Sequence, residues 1–180
     1  AGNSIASGGN YNVVVGDEAG TAITTGDFNT AVGYQALSTE DTTNTSTAIG
    51  YRALKAQNAD ADSFNTAVGH DAGLSVTTGL YNVLVGGNAG DALTDADRNV
   101  AVGVGALGSD TKGNKATAVG QGALGTQNFS SSTDNYNVAI GFEAGNDITT
   151  GVNNTLIGGL AGDAITTGSS NAALGYNSLG

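Results

Sequence analysis

The sequence predicts an all-β fold, a parallel β-solenoid of ten turns of about 17 residues each. Three observations predict it: a glycine that recurs at a nearly constant interval, a short apolar stretch before each of these glycines, and a composition of small residues. Glycine accounts for 30 of the 180 residues, whereas Pro, Cys, Met and Trp are absent. The 39% hydrophobic content exceeds that of a simple disordered chain, so we expect thin, closely stacked layers of small aliphatic residues.

The repeat is defined by a glycine that follows a pair of apolar residues in every turn. These glycines are Gly16, Gly33, Gly50, Gly69, Gly86, Gly103, Gly120, Gly141, Gly158 and Gly175. Seven of the nine intervals are 17 residues and the others are 19 and 21, so we expect surface loops at 55–63 and 125–135. We expect one β-solenoid domain over 1–180, uncapped at both ends, which opens on a partial turn around Ile5.

Each turn is numbered so that the repeated glycine is position 6, where it is expected to supply a positive φ or a close backbone approach. Position 5 is branched aliphatic and position 4 is Ala, Val or Leu in all ten turns. Because positions 3 and 5 share one strand face, we expect them to point into one buried layer. Position 4 lies on the other face and is expected to need a second covering surface, such as a partner chain. Asn at position 2 in eight turns predicts a ladder of amide hydrogen bonds along the axis.

A second pattern links positions 10 and 13. Where position 10 is Leu, position 13 is polar, as in Leu124 and Gln127; where position 10 is Gly, position 13 is apolar, as in Gly145 and Ile148. Each complete turn therefore carries one large aliphatic side chain, supplied from one of two places. We predict that both kinds occupy one stripe of the core, because a void and an overpacked layer would each be destabilising.

The motifs NTAVG at 29–33 and YNVAIG at 136–141 resemble the head repeats of YadA-like trimeric autotransporter adhesins. They are also similar to the repeat shafts of phage tail fibres and of surface fibres of predatory bacteria. The resemblance extends over nearly the whole chain, although adhesin heads commonly repeat at a somewhat shorter interval. It implies a left-handed parallel β-roll, three identical chains packed side by side, and adhesion at a cell surface. The apolar position 4 is the second face that such a trimer would require.

We expect a structural, extracellular segment of a cell-surface or virion fibre or adhesin, not an enzyme. The expected partners are copies of the chain, in a homotrimer and in a head-to-tail filament, together with a host-cell or surface receptor that no residue identifies. Joining two chains end to end would place Gly175 and Gly16 at a spacing of 21, which already occurs within the chain. A piece cut from a longer fibre is the alternative explanation of the uncapped ends.

Two other classes of function remain open. A monomeric β-solenoid binding module could present threonine pairs, such as Thr24-Thr25 and Thr77-Thr78, to ice or to a polysaccharide lattice. A carboxylate-based glycan hydrolase is the third class, but no pair of acids is suitably placed for it. A monomeric module would bury position 4 within its own chain, so a mass measurement separates it from the fibre.

Charge and residue types exclude several functions. Sixteen acidic against five basic residues give a net charge of −11, which repels phosphate backbones and anionic membranes, so neither nucleic acid nor membrane insertion is expected. Matches to the dinucleotide glycine motif at 103–108 and 120–125 are by-products of the repeat, since they lack the distal acid. His70 is the only histidine and cysteine is absent, which excludes most pairs of nucleophile and base. We expect His70 to be a solvated turn residue.

The acidic loops are the best candidates for a ligand site. Asp60 and Asp62, and likewise Asp95 and Asp97, have the alternate spacing that can present carboxylate oxygens to calcium. Complete calcium loops have more ligands than these, so solvated surface charge is the alternative interpretation. No other metal or cofactor is expected.

Aromatic residues recur at position 1. They are Tyr11, Phe28, Phe64, Tyr81 and Tyr136. They are expected either to pack between adjacent turns or to stack on host glycans. The two inserted loops are the other places expected to carry recognition.

Overall fold

The computed structural model describes residues 1–2 and 9–180, and it confirms an all-β parallel solenoid of stacked coils. Ten three-residue strands form one sheet, each ending just before a repeated glycine. They are β1 Val13–Val15, β2 Thr30–Val32, β3 Thr47–Ile49, β4 Thr66–Val68, β5 Val83–Val85, β6 Val100–Val102, β8 Thr117–Val119, β10 Val138–Ile140, β11 Thr155–Ile157 and β12 Ala172–Leu174. A second sheet pairs β7 Gly113–Asn114 with β9 Thr133–Asp134. The partial turn expected around Ile5 lies outside the described residues.

Equivalent positions of successive turns pair directly. Ala31 pairs with Ala48, which pairs in turn with Ala67 across the 19-residue turn. The 21-residue turn keeps the same register, since Val119 pairs with Ile140. Both insertions therefore bulge outward without disturbing the sheet, which confirms that the extra residues form surface loops.

The prediction of which strand face is buried is wrong. Position 4 points into the solenoid and is buried in nine of the ten turns, whereas no residue at positions 3 or 5 is buried. For example, Ala139 is fully buried, while the next side chain, Ile140, is 39% exposed. Position 4 therefore needs no partner chain to cover it. The physical reason is that the coil is thin and holds one apolar layer, which position 4 shares with positions 9, 10 and 13 from the opposite wall.

The single stripe of large side chains is confirmed. Its fully buried members come from position 10 in some turns and from position 13 in others: Leu37, Leu54, Leu107, Leu124, Ile23, Val76, Leu93 and Ile148. A Cβ built on Gly145 would lie 3.2 Å from Cδ1 of Ile148 and 3.1 Å from Cδ2 of Leu124 in the preceding turn. The glycine at position 10 therefore leaves the space that the position 13 side chain fills.

The strands are flanked by left-handed backbone. The repeated glycines combine a positive φ with close stacking: at Gly50, φ is 139° and a Cβ would lie 2.2 Å from the carbonyl oxygen of Gly69. Positions 1, 8 and 10 also have positive φ, and at position 10 this includes leucines such as Leu54, with φ of 47°. Such a conformation costs a branched side chain on the order of 1 kcal/mol. Complete burial of the leucine, worth about 1.5–3 kcal/mol, offsets that cost.

The asparagine ladder at position 2 joins each coil to itself and to the next. Asn29 donates from Nδ2 to the carbonyl of Thr43 at 2.9 Å, closing its own coil, and its Oδ1 accepts from the main-chain N of Ser46 at 2.9 Å. Amide-to-amide bonds also occur, as from Asn82 Nδ2 to Asn65 Oδ1 at 3.2 Å. The axial ladder is thus confirmed, with main-chain N–H groups as its regular donors.

We predict that Ile148→Ala lowers the free energy of unfolding by about 2–5 kcal/mol, because it leaves a cavity in the only core layer. Adding Gly145→Leu should not restore the loss, because a Cβ at Gly145 would lie 2.7 Å from Cδ1 of Leu156 in the next turn. Denaturant melts of the two variants test this, with Val104→Ala, at an exposed site, as the control. A loss below about 0.5 kcal/mol for Ile148→Ala would contradict the single-stripe core.

Candidate functional site

The outward face of the ten-stranded sheet is a continuous, uncharged surface. Positions 3 and 5 hold only Val, Thr, Ile, Ala and Leu, and all of them are exposed or half-buried. Ten strands at about 4.8 Å extend this face over about 48 Å of the axis. Exposed apolar surfaces of this extent are commonly interaction surfaces, which makes this face the first candidate site.

Two columns of aromatic rings border the sheet face. In the position 1 column, Tyr11 stacks on Phe28 with ring centroids 5.0 Å apart, and Phe64 stacks on Tyr81 at 5.6 Å. Because rings of successive turns cover each other's faces, packing between turns is confirmed for these pairs. In a stack of two rings each ring has one face that no other ring covers, so stacking on host glycans stays a prediction.

The position 7 column was not predicted from the sequence. Tyr34 stacks on Tyr51 at 5.4 Å between centroids, and Tyr51 stacks on His70 at 4.8 Å. The signal was present, because the three residues occupy the same position in consecutive turns. His70 is exposed, as expected, and its Nδ1 lies 3.3 Å from Oδ2 of Asp71.

Asp71 anchors the end of this column. Its largely buried carboxylate accepts two hydrogen bonds from Arg52, at 2.8 Å from Nε and 2.5 Å from Nη2. The hydrogen bond to Asp71 raises the pKa of Arg52 above its usual value. Arg52 also lies over the ring of Tyr51, 4.9 Å from its centroid, so the ion pair holds the stack of rings against the rod.

Two basic side chains continue the position 1 column. The guanidinium of Arg98 lies 5.1 Å from the ring centroid of Tyr81, and Nζ of Lys115 lies 5.0 Å from that of Tyr136. Lys115 also donates to Oδ2 of Asp134 at 2.5 Å. This bond is the main cause that lowers the pKa of Asp134 and raises the pKa of Lys115. Asp134 thus balances the charge of Lys115 at this point of the column.

The four aspartates proposed as calcium ligands are placed singly or with other partners. Asp62 accepts from Asn44 at 2.7 Å, and Asp97 accepts from the main-chain N of Leu80 at 2.8 Å. Nζ of Lys112 lies 3.8 Å from Asp95, while Asp60 is exposed. Within the ranges that the structure describes, no three His, Cys, Asp or Glu residues come together to hold a metal ion. Calcium binding by Asp60, Asp62, Asp95 and Asp97 stays a prediction.

A fully buried pair of an acid and an amide lies beneath each inserted loop, a feature that the sequence reasoning missed. Gln57 donates from Nε2 to Oε2 of Glu40 at 2.8 Å, and its Oε1 accepts from Asn65 at 2.8 Å. Oε1 of Glu40 accepts from the main-chain N of Thr43 at 3.0 Å. These bonds satisfy both buried side chains and join three turns.

The second loop repeats this arrangement. Gln127 donates to Oδ2 of Asp110 at 2.6 Å and accepts from Asn137 at 2.8 Å, while Oδ1 of Asp110 accepts from the main-chain N of Phe129 at 3.2 Å. The sequence signal is an acid at position 13 followed by Gln at position 13 of the next, longer turn. Position 13 is polar only in the turn that carries each insertion and in the turn before it, while Leu at position 10 supplies the aliphatic side chain there. The acid-amide pair therefore fixes the base of the loop.

The tips of both loops are polar and exposed. Asn58, Asp60 and Asp62 are exposed in the first loop, and residues 130–132, three serines, are exposed in the second. Ala59 and Phe129 each stand two residues after the buried glutamine of their loop, and both are buried. Each loop is therefore a polar tip held by one inward side chain and one buried polar pair.

Comparisons with known proteins find no matching family model, no similar curated protein and no similar solved structure. The resemblance to adhesin heads and fibre shafts therefore remains a prediction. Residues 1–2 and 9–180 contain no apolar helix of membrane-spanning length.

We predict that Gln127→Ala destabilises the protein by about 1–3 kcal/mol, because Asp110 loses a buried hydrogen-bond donor and Asn137 loses an acceptor. The neighbouring exposed Asn128→Ala is the matched control and should change stability by less than about 0.5 kcal/mol. Thermal or denaturant unfolding measures both. Equal effects in the two variants would contradict an anchoring role for the buried pair.

The ion pair of Lys115 and Asp134 gives a prediction about pH. Since the folded-state pKa of Asp134 lies below its ordinary value of 3.8, the pair stabilises the fold above that value and loses its contribution as pH falls through the lowered pKa. Lys115→Gln should raise the pKa of Asp134 toward its ordinary value, as followed by carboxyl carbon NMR titration. Lys112→Gln is the control, because Lys112 pairs with Asp95 instead. An unchanged Asp134 titration in Lys115→Gln would refute the assigned cause.

Proposed function

We propose that the chain is a segment of an extracellular fibre or adhesin whose copies associate side by side through the outward sheet face. The observation that carries this proposal is that face itself: ten strands of uncharged, mostly β-branched side chains left uncovered along the whole rod. In this proposal the segment gives the fibre length and stiffness and displays the two polar loops. The proposal assigns no catalytic role and no cofactor.

Continuous axial bonding supports the stiffness. Each turn is joined to the next by strand pairing, by main-chain bonds such as Gly33 N to the Val15 carbonyl at 2.8 Å, and by the buried asparagines. Bending would have to break or stretch several of these bonds at once. Such a rod transmits position and force better than a chain of flexible domains.

Charge and area support a second copy as the partner on the sheet face. The chain has a net charge of −11, so two copies repel each other through most surfaces, but positions 3 and 5 contribute no charge at all. With its bordering columns the face measures roughly 48 Å by 15–20 Å, on the order of 700–1,000 Å². Standard protein interfaces bury about 800 Å² on each partner. The resemblance to trimeric adhesins favours three copies about one axis, now with positions 3 and 5 inside.

Head-to-tail association of segments requires no new kind of contact. The contact between neighbouring coils is repeated nine times within the sheet, always in the same register. Further coils, from the same chain or from another, would add by the same main-chain bonds. The proposed fibre therefore includes axial stacking of segments. We place its receptor contacts in the two inserted loops.

A monomeric binding module is a second candidate, because position 4 is buried within its own chain, as that candidate requires. The lattice-binding surface would then be the sheet face. Threonine occupies position 3 in five turns, at Thr30, Thr47, Thr66, Thr117 and Thr155. The threonine pairs first considered, such as Thr77 and Thr78, are a poorer array, because Asp95 and Lys112 interrupt the position 15 row.

We predict that the purified chain is oligomeric by sedimentation equilibrium and that Val85→Asp or Val102→Asp makes it monomeric, because a buried, unpaired carboxylate opposes association. Thr78→Asp adds the same charge on another, exposed surface and should leave the oligomer intact. Circular dichroism verifies that every variant is folded. A monomeric wild type at high concentration would overturn the fibre proposal in favour of the binding module.

A further inference from the structure

The position 7 column has a gap beside its stack of rings. Tyr34, Tyr51 and His70 stack in consecutive turns, but the next turn has Gly87 at this position. A Cβ built on Gly87 would meet no atom within 4 Å. The ring of His70 therefore faces open space on its far side, and the next side chain in the column is Val104, two turns away and 59% exposed.

Only a side chain is missing at this gap, because the backbone keeps its regular contacts. Asn88 N donates to the carbonyl of His70 at 2.8 Å, and Gly105 N donates to the carbonyl of Gly87 at 3.0 Å. Two strand spacings separate His70 from Val104, about 9.6 Å. A ring that makes van der Waals contact on both faces needs about 7–8 Å. The gap thus has room for one planar ring.

A second gap in the same column indicates what fills such a space. Gly159 lies between Phe142 and Tyr176, and a Cβ built there would lie 3.6 Å from Cδ2 and 3.9 Å from Cε2 of Tyr176. A neighbouring aromatic ring leans over that glycine. No ring of its own chain does so at Gly87, since the turn above supplies valine.

We propose that the gap at Gly87 receives the ring of Tyr81 from a neighbouring copy and so fixes the axial register of the assembly. This inference rests on the proposed association through the sheet face. In any cyclic assembly about an axis parallel to the rod, the position 1 edge of one copy meets the position 7 edge of the next at the same turn. Tyr81 and Gly87 are positions 1 and 7 of one turn, so they meet without any axial shift.

Ring orientation and charge both fit this contact. Tyr81 stacks along the axis on Phe64 with an interplanar angle of 7°, so its ring lies across the rod and can enter the gap edge first, parallel to His70. Tyr81 is 45% exposed, and because Phe64 and the guanidinium of Arg98 lie over its two faces, the exposed part of the ring is its outer edge. The same pairing places Arg98 beside Val104 and Lys115 beside Gln121, so no like charges meet. One stacking contact is too weak to retain a free aromatic molecule, which favours a ring carried by an associating chain.

The test exchanges the ring between the two edges. Gly87→Tyr fills the gap from its own chain and should weaken association at least tenfold in sedimentation equilibrium, and Tyr81→Gly should weaken it as well. The double variant Tyr81→Gly with Gly87→Tyr supplies one ring per contact again and should recover most of the affinity. Gln121→Tyr adds a ring to the same column where there is no gap and serves as the control.

A direct reading comes from the imidazole protons of His70. Their resonances should shift upfield in the assembled wild type relative to the monomeric Val85→Asp variant, and Tyr81→Leu should abolish that shift. If Val85→Asp prevents association while Gly87→Tyr and Tyr81→Gly leave it unchanged, the register contact is refuted and the sheet-face interface stands. A monomeric wild type would refute both.

Discussion

The structure depends on one constraint, which is that every coil must stack directly on the next at the strand spacing of about 4.8 Å. The column of repeated glycines shows how little room this leaves: at Gly33 an added Cβ would lie 2.3 Å from the carbonyl oxygen of Gly50. No side chain fits there, and φ is positive as well. Any residue other than glycine would push two coils apart and break the strand pairing on both sides of it.

Direct stacking explains why so much of the fold could be predicted from the sequence. When equivalent positions superimpose, each turn repeats the same environment. The ten residues found at one position therefore show which side chains that environment accepts. For this reason the sequence showed that two pairs of residues alternate at positions 10 and 13, Leu124 and Gln127 in one turn and Gly145 and Ile148 in the next. Each pair supplies one large aliphatic side chain to the layer, from position 10 in the first case and from position 13 in the second. Regular spacing likewise located both insertions outside the sheet.

The faces of the strands could not be assigned in the same way, because both are apolar and alternation alone does not say which is inside. One unused signal could have decided it. Position 4 is larger than Ala only at Val14, Leu84 and Leu156, and each of these turns has Gly at position 10. A Cβ on Gly90 would lie 2.7 Å from Cδ2 of Leu84, so the two positions share one interior. The left-handed residues have no comparable signature, since local propensity opposes that conformation. The buried acid-amide pairs do have one at position 13, but the desolvation cost of a carboxylate argues for an exposed place.

A thin interior has a consequence for where function can reside. One layer of side chains inside each coil leaves no internal cavity, and no pocket opens in the part of the chain described by the structure. The fold presents side chains outward in two ways, on surfaces that repeat along the rod and on segments that interrupt the repeat. The sheet face and its ring columns are of the first kind, and suit a partner with the same axial period, such as another copy. The two anchored loops are of the second kind, and their irregularity suits a partner that is not periodic.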